Sequence, residues 1–308
     1  MKSFTFNRQL LLIMFMLLNC FTSYASDDNL ITKQTIVNLT EAGTLQNKIA
    51  FSEKYLITNL KIIGEINGTD LCLIRDMAGS YVTGEKTPGK LSILDLSETK
   101  IVEGGDYYYT DYFEDKQYTK NDTLGNWTFA WCKSLTTVII PTSIAAIGRG
   151  TFYYCSNLAT IDIPSNVTEI GSSAFVNCSS LKSMNIPSSV KSIGGSAFYG
   201  CTELTSIYMY STEFLTIGFI GEDAFKGCNA NNCTVYVPKG TLDAYSKSKF
   251  NYFKNIVEFE ATSINKTTSN GVKEISRYNS NGQQLTTPTK GINIVKYNDG
   301  SVRKEFVK

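Results

Sequence analysis

Cysteine is the residue whose spacing in this chain most suggests chemistry. Five of the eight cysteines end a Phe-x-x-Cys phrase, and successive copies lie 23, 23, 23 and 27 residues apart. A column of thiols at one place in each repeat could bind metal ions or form disulfides. Disulfides between neighbouring coils would use the cysteines in adjacent pairs and leave one over, so the pattern favours small, free and buried thiols. These residues are Cys132, Cys155, Cys178, Cys201 and Cys228. Cys228 and Cys233 are the only pair for which we keep a disulfide as an alternative.

Several common catalytic motifs are missing from the sequence. There is no histidine, which excludes Ser-His-Asp and Cys-His nucleophiles and every histidine-based zinc site. No glycine loop has phosphate-binding spacing, and no carboxylate pair lies in a glycosidase motif. We therefore expect no enzymatic activity, no cofactor and no metal site.

The Phe-x-x-Cys phrase belongs to a longer repeat, L-x-x-I-x-I-P-x-x-V-x-x-I-G-x-x-A-F-x-x-C. In one copy, Leu158, Ile161 and Ile163 predict a short strand with one apolar face, and Phe175 and Cys178 fill the inside of a short helical turn. A unit of this size cannot bury its own apolar edge. Neighbouring units must therefore stack into a solenoid, in which each coil covers the next.

This phrase resembles the leucine-rich repeats of the BspA-like surface proteins of Gram-negative anaerobes and some protozoa. The resemblance covers residues 129–238 and, more weakly, 57–128. It implies an α/β, β-rich fold: a right-handed leucine-rich-repeat solenoid with 23-residue repeats, N- and C-terminal caps and a small C-terminal β module. It also implies an extracellular binding or adhesion protein, with no enzymatic activity attached to the repeat.

The strands of the repeat predict one exposed column of side chains. Because side chains alternate between the two faces of a strand, the residue between two inward apolar residues points outward. This residue lies two positions before each repeat proline. The column contains Ile139, Asp162, Asn185, Tyr208 and Tyr236. We expect either a merely solvated face or a binding face, in which Tyr208 and Tyr236 stack on a ligand while Asp162 and Asn185 hydrogen-bond to it.

An aromatic and acidic insertion interrupts the period between residues 101 and 128. Its segment 106–115 reads DYYYTDYFED and is long enough to stand away from the stack as a loop. Tyr108, Tyr109 and Tyr112 are second candidates for ligand contacts, on sugar rings or a protein partner. The alternative is that these aromatics cover the junction between the N-terminal cap and the repeats.

The first 25 residues predict a secretory signal. Lys2 and Arg8 precede a short apolar run, and Ser23-Tyr24-Ala25 provides small residues for cleavage before Ser26. Lipidation at Cys20 is the alternative. Signal removal leaves 27 basic and 28 acidic residues, a balance that favours neither nucleic acid nor an anionic membrane as a partner. No second apolar segment has membrane length.

Four segments follow from these patterns: a signal peptide (1–25), an N-terminal cap with irregular repeats (26–128), the repeats with a C-terminal cap (129–260), and a linker with a small β tail (261–308). In the N-terminal cap, residues 60–63 and 91–96 predict strands and 46–55 a helix. In the C-terminal cap, Thr241 is the predicted N-cap of a short helix, and residues 250–257 are predicted to bury aromatics. The tail resembles, in shortened form, the C-terminal sorting modules of secreted Bacteroidetes-type proteins; a plain β module is the alternative.

The sequence therefore predicts a secreted or surface-attached binding protein. Its expected partner is a protein or glycan, such as a host matrix protein or another cell surface. The alternatives are an accessory glycan-capturing protein of a polysaccharide utilisation system and, less favoured, a hydrolase with an unrecognised site.

Overall fold

The computed structural model describes residues 29–110, 114–212 and 219–259, and residues of a C-terminal unit within 274–279, 284–285, 287, 291–297 and 302–307. The predicted signal segment, Tyr112 and the predicted linker lie outside these residues. The chain divides into Met1–Phe259 and Glu260–Lys308, which are described separately. Within the described ranges, no helix has the length and apolar character needed to cross a membrane.

The strands of the first unit are short and regularly spaced. In chain order they are β1 (Thr35–Asn38), β2 (Asn59–Ile66), β3 (Ile93–Ile101), β4 (Gly104–Thr110), β5 (Lys116–Thr119), β6 (Thr123–Leu124), β7 (Thr137–Ile139), β8 (Ala146–Ile147), β9 (Thr160–Asp162), β10 (Glu169–Ile170), β11 (Ser183–Ile186), β12 (Ser192–Ile193), β13 (Ser206–Met209), β14 (Phe219–Ile220), β15 (Thr234–Pro238) and β16 (Asn255–Phe259).

Successive coils pair their strands in parallel. One row of strands has the order β1-β2-β3-β7-β9 and continues as β11-β13-β15-β16, while a second sheet has the order β14-β12-β10-β8-β6. Strands β9 and β11 also lie side by side, since Lys182 N donates to Ala159 O at 3.5 Å. We call the first row the main sheet. The predicted solenoid architecture is confirmed, because each strand pairs with the equivalent strand of the next coil.

The core of the stack is a ladder of phenylalanines. Successive ring centroids lie 5.5, 5.3, 5.2 and 5.5 Å apart, and every ring is at most 3% exposed. The rings are Phe129, Phe152, Phe175, Phe198 and Phe225. Each ring therefore covers the next, which is how a solenoid buries an apolar edge that one coil cannot bury alone.

The thiols form a second inner ladder, and their predicted burial is confirmed. All five thiols of the repeats are free and at most 5% exposed, and Cys233 is free as well. Cys155 Sγ donates to Phe129 O at 2.9 Å, and Cys178 Sγ to Phe152 O at 3.1 Å. Burial raises the pKa of the Cys132 thiol to about 11. Cys201 and Cys228 donate to the equivalent carbonyls in the same way. The repeat thiols are therefore packing groups, and these four also satisfy a carbonyl of the preceding coil.

The N-terminal helix is not where the sequence predicted it. Residues 46–55 contain only the end of a 3₁₀ turn, Leu45–Asn47, and further turns, whereas helix α1 is Gly68–Met77. Asn67 begins α1: its side chain accepts from Thr69 N at 3.0 Å, and Asp70 accepts from Asn67 N at 3.0 Å. Asn67-Gly68 resembles a turn in sequence. Glycine is needed there because a Cβ at Gly68 would collide with the Asp106 carbonyl oxygen.

The described residues of the tyrosine-rich insertion do not stand away from the stack, so that prediction is wrong for them. They form the antiparallel strands β4 and β5, and β4 packs against α1. Tyr108 is 1% exposed and Tyr109 is 8% exposed. Burial of these rings supplies apolar contacts that an exposed loop of tyrosines would forgo. Tyr108 and Tyr109 therefore fit the alternative prediction, in which the aromatics cover the junction between the N-terminal cap and the repeats.

Helix α2 (Leu242–Ser246) and a 3₁₀ turn (Lys249–Tyr252) precede β16. Phe250 and Phe253 are buried against Phe225, with ring centroids 4.9 and 5.3 Å from it. Two details differ from expectation. The Thr241 hydroxyl donates to Pro238 O at 2.6 Å and caps no helix N–H, and Val257 is 42% exposed because it faces outward from β16.

The C-terminal unit is an antiparallel sheet. Its strands are β17 (Glu274–Asn279), β18 (Gln284–Leu285), β19 (Gly291–Tyr297) and β20 (Val302–Val307), in the order β18-β17-β19-β20. The described part of this unit is therefore a small β-sheet.

Candidate functional site

The predicted outward column exists as one register of the main sheet. Ile139 pairs with Asp162, Asn185 pairs with Tyr208, and Tyr208 pairs with Tyr236. Asn185 Nδ2 donates to Asp162 Oδ1 at 3.4 Å, which joins the two halves of the column. Asp162 is exposed, and the other three candidate residues are half-buried. The structure therefore brings Asp162, Asn185, Tyr208 and Tyr236 together.

The two tyrosines stack on each other. Their ring centroids lie 4.5 Å apart, with an angle of 7° between the ring planes. Each ring therefore covers one face of the other. The pair therefore acts as one aromatic block.

Two further aromatic residues complete this block, and the sequence analysis did not select them as site residues. Phe259 stands edge-on to Tyr208 at 6.1 Å and to Tyr210 at 5.6 Å between ring centroids. Tyr210 occupies the position of the repeat proline, and this departure from the repeat is the sequence feature that could have identified it as a site residue. Phe259 lies outside the repeat and gave no signal; it reaches the block because β16 pairs with β15.

Asp162 is the charged member of this region. Burial and then the nearby Asp162 carboxylate raise the pKa of the Tyr210 phenol. Among the described residues, the Asp162 side chain accepts a hydrogen bond from the Asn185 amide and takes part in no ion pair. An exposed carboxylate beside phenols can accept hydrogen bonds from a ligand or pair with a ligand cation.

The same column carries a satisfied ion pair near its N-terminal end. Lys61 Nζ lies 3.3 Å from Asp95 Oδ2 and 2.6 Å from Glu98 Oε1. Burial opposes ionisation of Asp95, but hydrogen bonds from Ser97 and the Lys61 ammonium lower the pKa of this carboxyl below its ordinary value. These groups already have partners. The four candidate residues lie on later strands of the same sheet, from β9 to β15.

A column of small polar residues flanks the site. Thr137 and Thr160 place their Oγ1 atoms 3.2 Å apart, and the register continues through Ser183, Ser206 and Thr234. Hydroxyls, an amide, phenols and one carboxylate can bind a ligand, but no histidine is present to activate a nucleophile. In the part of the chain that the structure describes, no group of acidic or cysteine residues could hold a metal ion.

Two of the three candidates in the second predicted region are not exposed. Tyr108 and Tyr109 lie on β4 and are buried, so their rings cannot present a face to a ligand. Tyr112 lies outside the described residues.

Comparison with known families decides the classification. The model of the BspA type leucine-rich repeat region matches in six copies over residues 122–257 and 169–297, which together cover more than half of the chain. The chain belongs to the BspA-type leucine-rich repeat family. This membership confirms the resemblance seen in the repeat phrase. A comparison with curated proteins finds no match.

Three solved bacterial structures resemble this family member. A leucine-rich repeat protein of T. pallidum is 30% identical over 46% of this chain and 63% of its own, with a TM-score of 0.36. One from Bacteroides ovatus ATCC 8483 is 20% identical over 74% and 66%, with a TM-score of 0.35. A leucine rich cell surface protein from Faecalibacterium prausnitzii A2-165 is 16% identical over 67% of each chain, with a TM-score of 0.31. The chain spans slightly less than two thirds of the first two proteins.

Proposed function

We propose that this BspA-type protein is a non-catalytic, secreted or cell-surface binding protein that presents the C-terminal part of its main sheet to a ligand. The observation that carries the proposal is the contiguous surface formed by Asp162, Asn185, Tyr208 and Tyr236, with Tyr210 and Phe259 beside it. Tyrosines bring large, rigid contact area with a polar end, which is typical of binding hot spots.

The geometry favours a protein ligand over a glycan at this surface. Tyr208 and Tyr236 cover one face of each other, so a sugar ring finds less open aromatic face than two separate tyrosines would offer. Ring edges, phenol groups and the Asp162 carboxylate instead suit the mixed apolar and polar side chains of a protein partner.

Export to the cell surface is part of the proposal. The predicted signal segment supports it, with cleavage before Ser26 or lipidation at Cys20 as the two routes. We also propose that the 23-residue repeats are closed at both ends by caps, and that the C-terminal sheet unit serves as a sorting or attachment module.

A ligand screen tests the binding function. The mature protein is incubated with a panel of purified extracellular matrix proteins and with a glycan array. We expect retention on one or more proteins, and loss of that retention when Tyr208 and Tyr236 are both replaced with alanine. Retention on glycans alone, abolished by the same double substitution, would favour the glycan-capturing alternative.

A further inference from the structure

A second aromatic cluster lies on the Phe-x-x-Cys turns, outside the strands of the main sheet. It consists of Trp127, Trp131, Tyr153 and Tyr154, all partly exposed, and is called the aromatic platform. Trp131 stacks on Tyr154 with ring centroids 4.3 Å apart. Tyr153 stands edge-on to both indoles, at 5.3 and 5.6 Å. The four rings are therefore one continuous surface.

Three of the four platform residues have left-handed backbones. The angle φ is 60° at Trp127, 65° at Trp131 and 57° at Tyr154, a conformation that is unusual for bulky side chains. Later coils carry residues that accept it more readily at the same two positions: Ser173, Asn177, Ser196, Gly200, Asp223 and Gly227. The turn requires a left-handed residue but not an aromatic one. Trp127 also packs against the buried Tyr109 ring, with centroids 6.0 Å apart, so the unusual backbone points to function only through the exposed parts of the cluster.

Two cations lie against the platform. Lys133 Nζ is 5.2 Å from the ring centroid of Trp131, and Arg149 Cζ is 5.5 Å from that of Trp127. Both side chains are exposed, and neither forms an ion pair with a carboxylate among the described residues. A cationic ligand would be repelled here, whereas a ligand with negative charges would gain two partners.

The side chains of the platform offer hydrogen-bond donors, whereas the backbone N–H groups of Trp127, Trp131 and Tyr154 already donate within the protein. Trp127 N donates to Arg149 O at 2.8 Å, Trp131 N to Tyr153 O at 2.7 Å, and Tyr154 N to Val176 O at 2.8 Å. A peptide could not add main-chain bonds to these groups. Indole N–H, ammonium, guanidinium and phenol groups instead suit a ligand rich in acceptor oxygens.

We propose that the aromatic platform is a second binding site, which takes an acidic glycan. Sulfate or carboxylate groups of the glycan pair with Lys133 and Arg149. Because Tyr154 covers one face of Trp131, the ionic contacts carry the binding, and the sugar rings contact only the exposed edges of the aromatic side chains. The site is separate from the main-sheet surface and does not depend on the function proposed for that surface.

Tryptophan fluorescence tests the proposal directly, because the only two tryptophans of the chain are Trp127 and Trp131. The protein is titrated with heparin, polygalacturonate, neutral dextran and poly-glutamate. We expect a saturable change with heparin that weakens as salt is added. If polygalacturonate also gives a response, carboxylate groups are sufficient for binding. If only heparin gives a response, binding requires sulfate groups. No response to either polysaccharide, or equal affinity for dextran or poly-glutamate, overturns the proposal.

Matched variants separate binding from folding. We expect Lys133→Ala with Arg149→Ala to weaken heparin binding at least about tenfold. The double variant Trp131→Asn with Tyr154→Asn should weaken heparin binding to the same extent without lowering the melting temperature. The fluorescence of Trp127 still measures binding in this variant. Controls are Lys182→Ala, which removes an exposed cation elsewhere, and Tyr199→Ala, which removes the tyrosine equivalent to Tyr153 two coils later. If the asparagine variant loses stability but binds heparin as tightly as the parent, the aromatics serve packing and the proposal fails.

Discussion

Arg75 Nη1 donates a hydrogen bond to the carbonyl oxygen of Thr128 at 2.9 Å, across 53 residues of sequence. In later coils the equivalent carbonyl accepts from the backbone of the preceding coil: Phe129 N donates to Thr151 O at 2.7 Å. No Phe-x-x-Cys turn precedes the one that begins at Phe129. The Arg75 side chain, which is fully buried, therefore supplies donors that another coil would have supplied.

Neighbouring carbonyls are satisfied in the same way. Arg75 Nη2 donates to Ala130 O at 3.1 Å, and the Tyr108 hydroxyl donates to Asn126 O at 2.9 Å. The Arg75 guanidinium also lies 4.8 Å from the Tyr109 ring centroid. The buried tyrosines of the insertion thus cover the first of the Phe-x-x-Cys turns.

Removal of this side chain should be severely destabilising. Arg75→Met keeps much of the apolar volume but leaves buried carbonyls unpaired, and we expect a loss of about 3–5 kcal/mol in the free energy of unfolding. Urea denaturation measures it. Arg149→Met, at an exposed arginine, is the control and should change stability by about 0.5 kcal/mol or less. Equal stability of the two variants would contradict the role of Arg75.

The repetitive part of this fold was predictable from sequence because the repeat itself encodes it. A fixed period aligns equivalent residues of successive coils, so the phenylalanine ladder and the outward column that contains Asp162 and Tyr208 follow from counting. The two-residue alternation of strands then decides which side chains face outward.

The N-terminal segment was less predictable because no period applies to it. Arg75 reaches carbonyls more than 50 residues away, and no local pattern reveals such a contact. Asn67-Gly68 resembled a turn although it begins a helix. Within the site, Tyr210 was missed because only the residue two positions before each repeat proline was counted, and Phe259 because its strand lies outside the repeat.

The phenylalanine ladder predicts a large effect of one truncation. Phe175 lies between Phe152 and Phe198 and is fully buried, so Phe175→Ala should leave a cavity and cost about 3–5 kcal/mol. The repeats should unfold in one transition, since each coil stabilises its neighbours. Tyr199→Ala, at a residue 38% exposed, serves as the control. A Phe175 variant that melts within about two degrees of the parent would be inconsistent with the ladder.

The buried thiols predict slow chemical labelling. Cys155, Cys178 and Cys201 are fully enclosed between coils, so a thiol reagent should modify them only after denaturation. Mass spectrometry of the labelled protein measures this. Rapid modification of all three in the native protein would contradict their enclosure, and no modification after denaturation without reductant would indicate disulfides.

The same thiols predict lower stability at alkaline pH. Burial raises the pKa of the Cys132 thiol to about 11 and that of Cys155 well above the ordinary 9.0. Above pH 9 the unfolded chain loses thiol protons that the folded chain keeps, so each such thiol should lower stability by about 1.4 kcal/mol per pH unit, up to its folded pKa.

Urea denaturation at about pH 8 and about pH 10 measures this slope. The matched control is Cys155→Ser with Cys178→Ser, because serine can donate to the same carbonyls but does not titrate in this range. The slope should be smaller in the control. Equal slopes for the two proteins would assign the alkaline sensitivity to other groups.

The most direct measurement is the affinity of the main-sheet surface for the ligand retained in the matrix-protein screen. Tyr208→Ala with Tyr236→Ala should weaken binding by roughly a hundredfold, since removal of a hot-spot aromatic pair costs about 2–4 kcal/mol. Circular dichroism checks that the variant folds, and Tyr199→Ala is the control. Undiminished affinity in the folded double variant would contradict binding through Tyr208 and Tyr236.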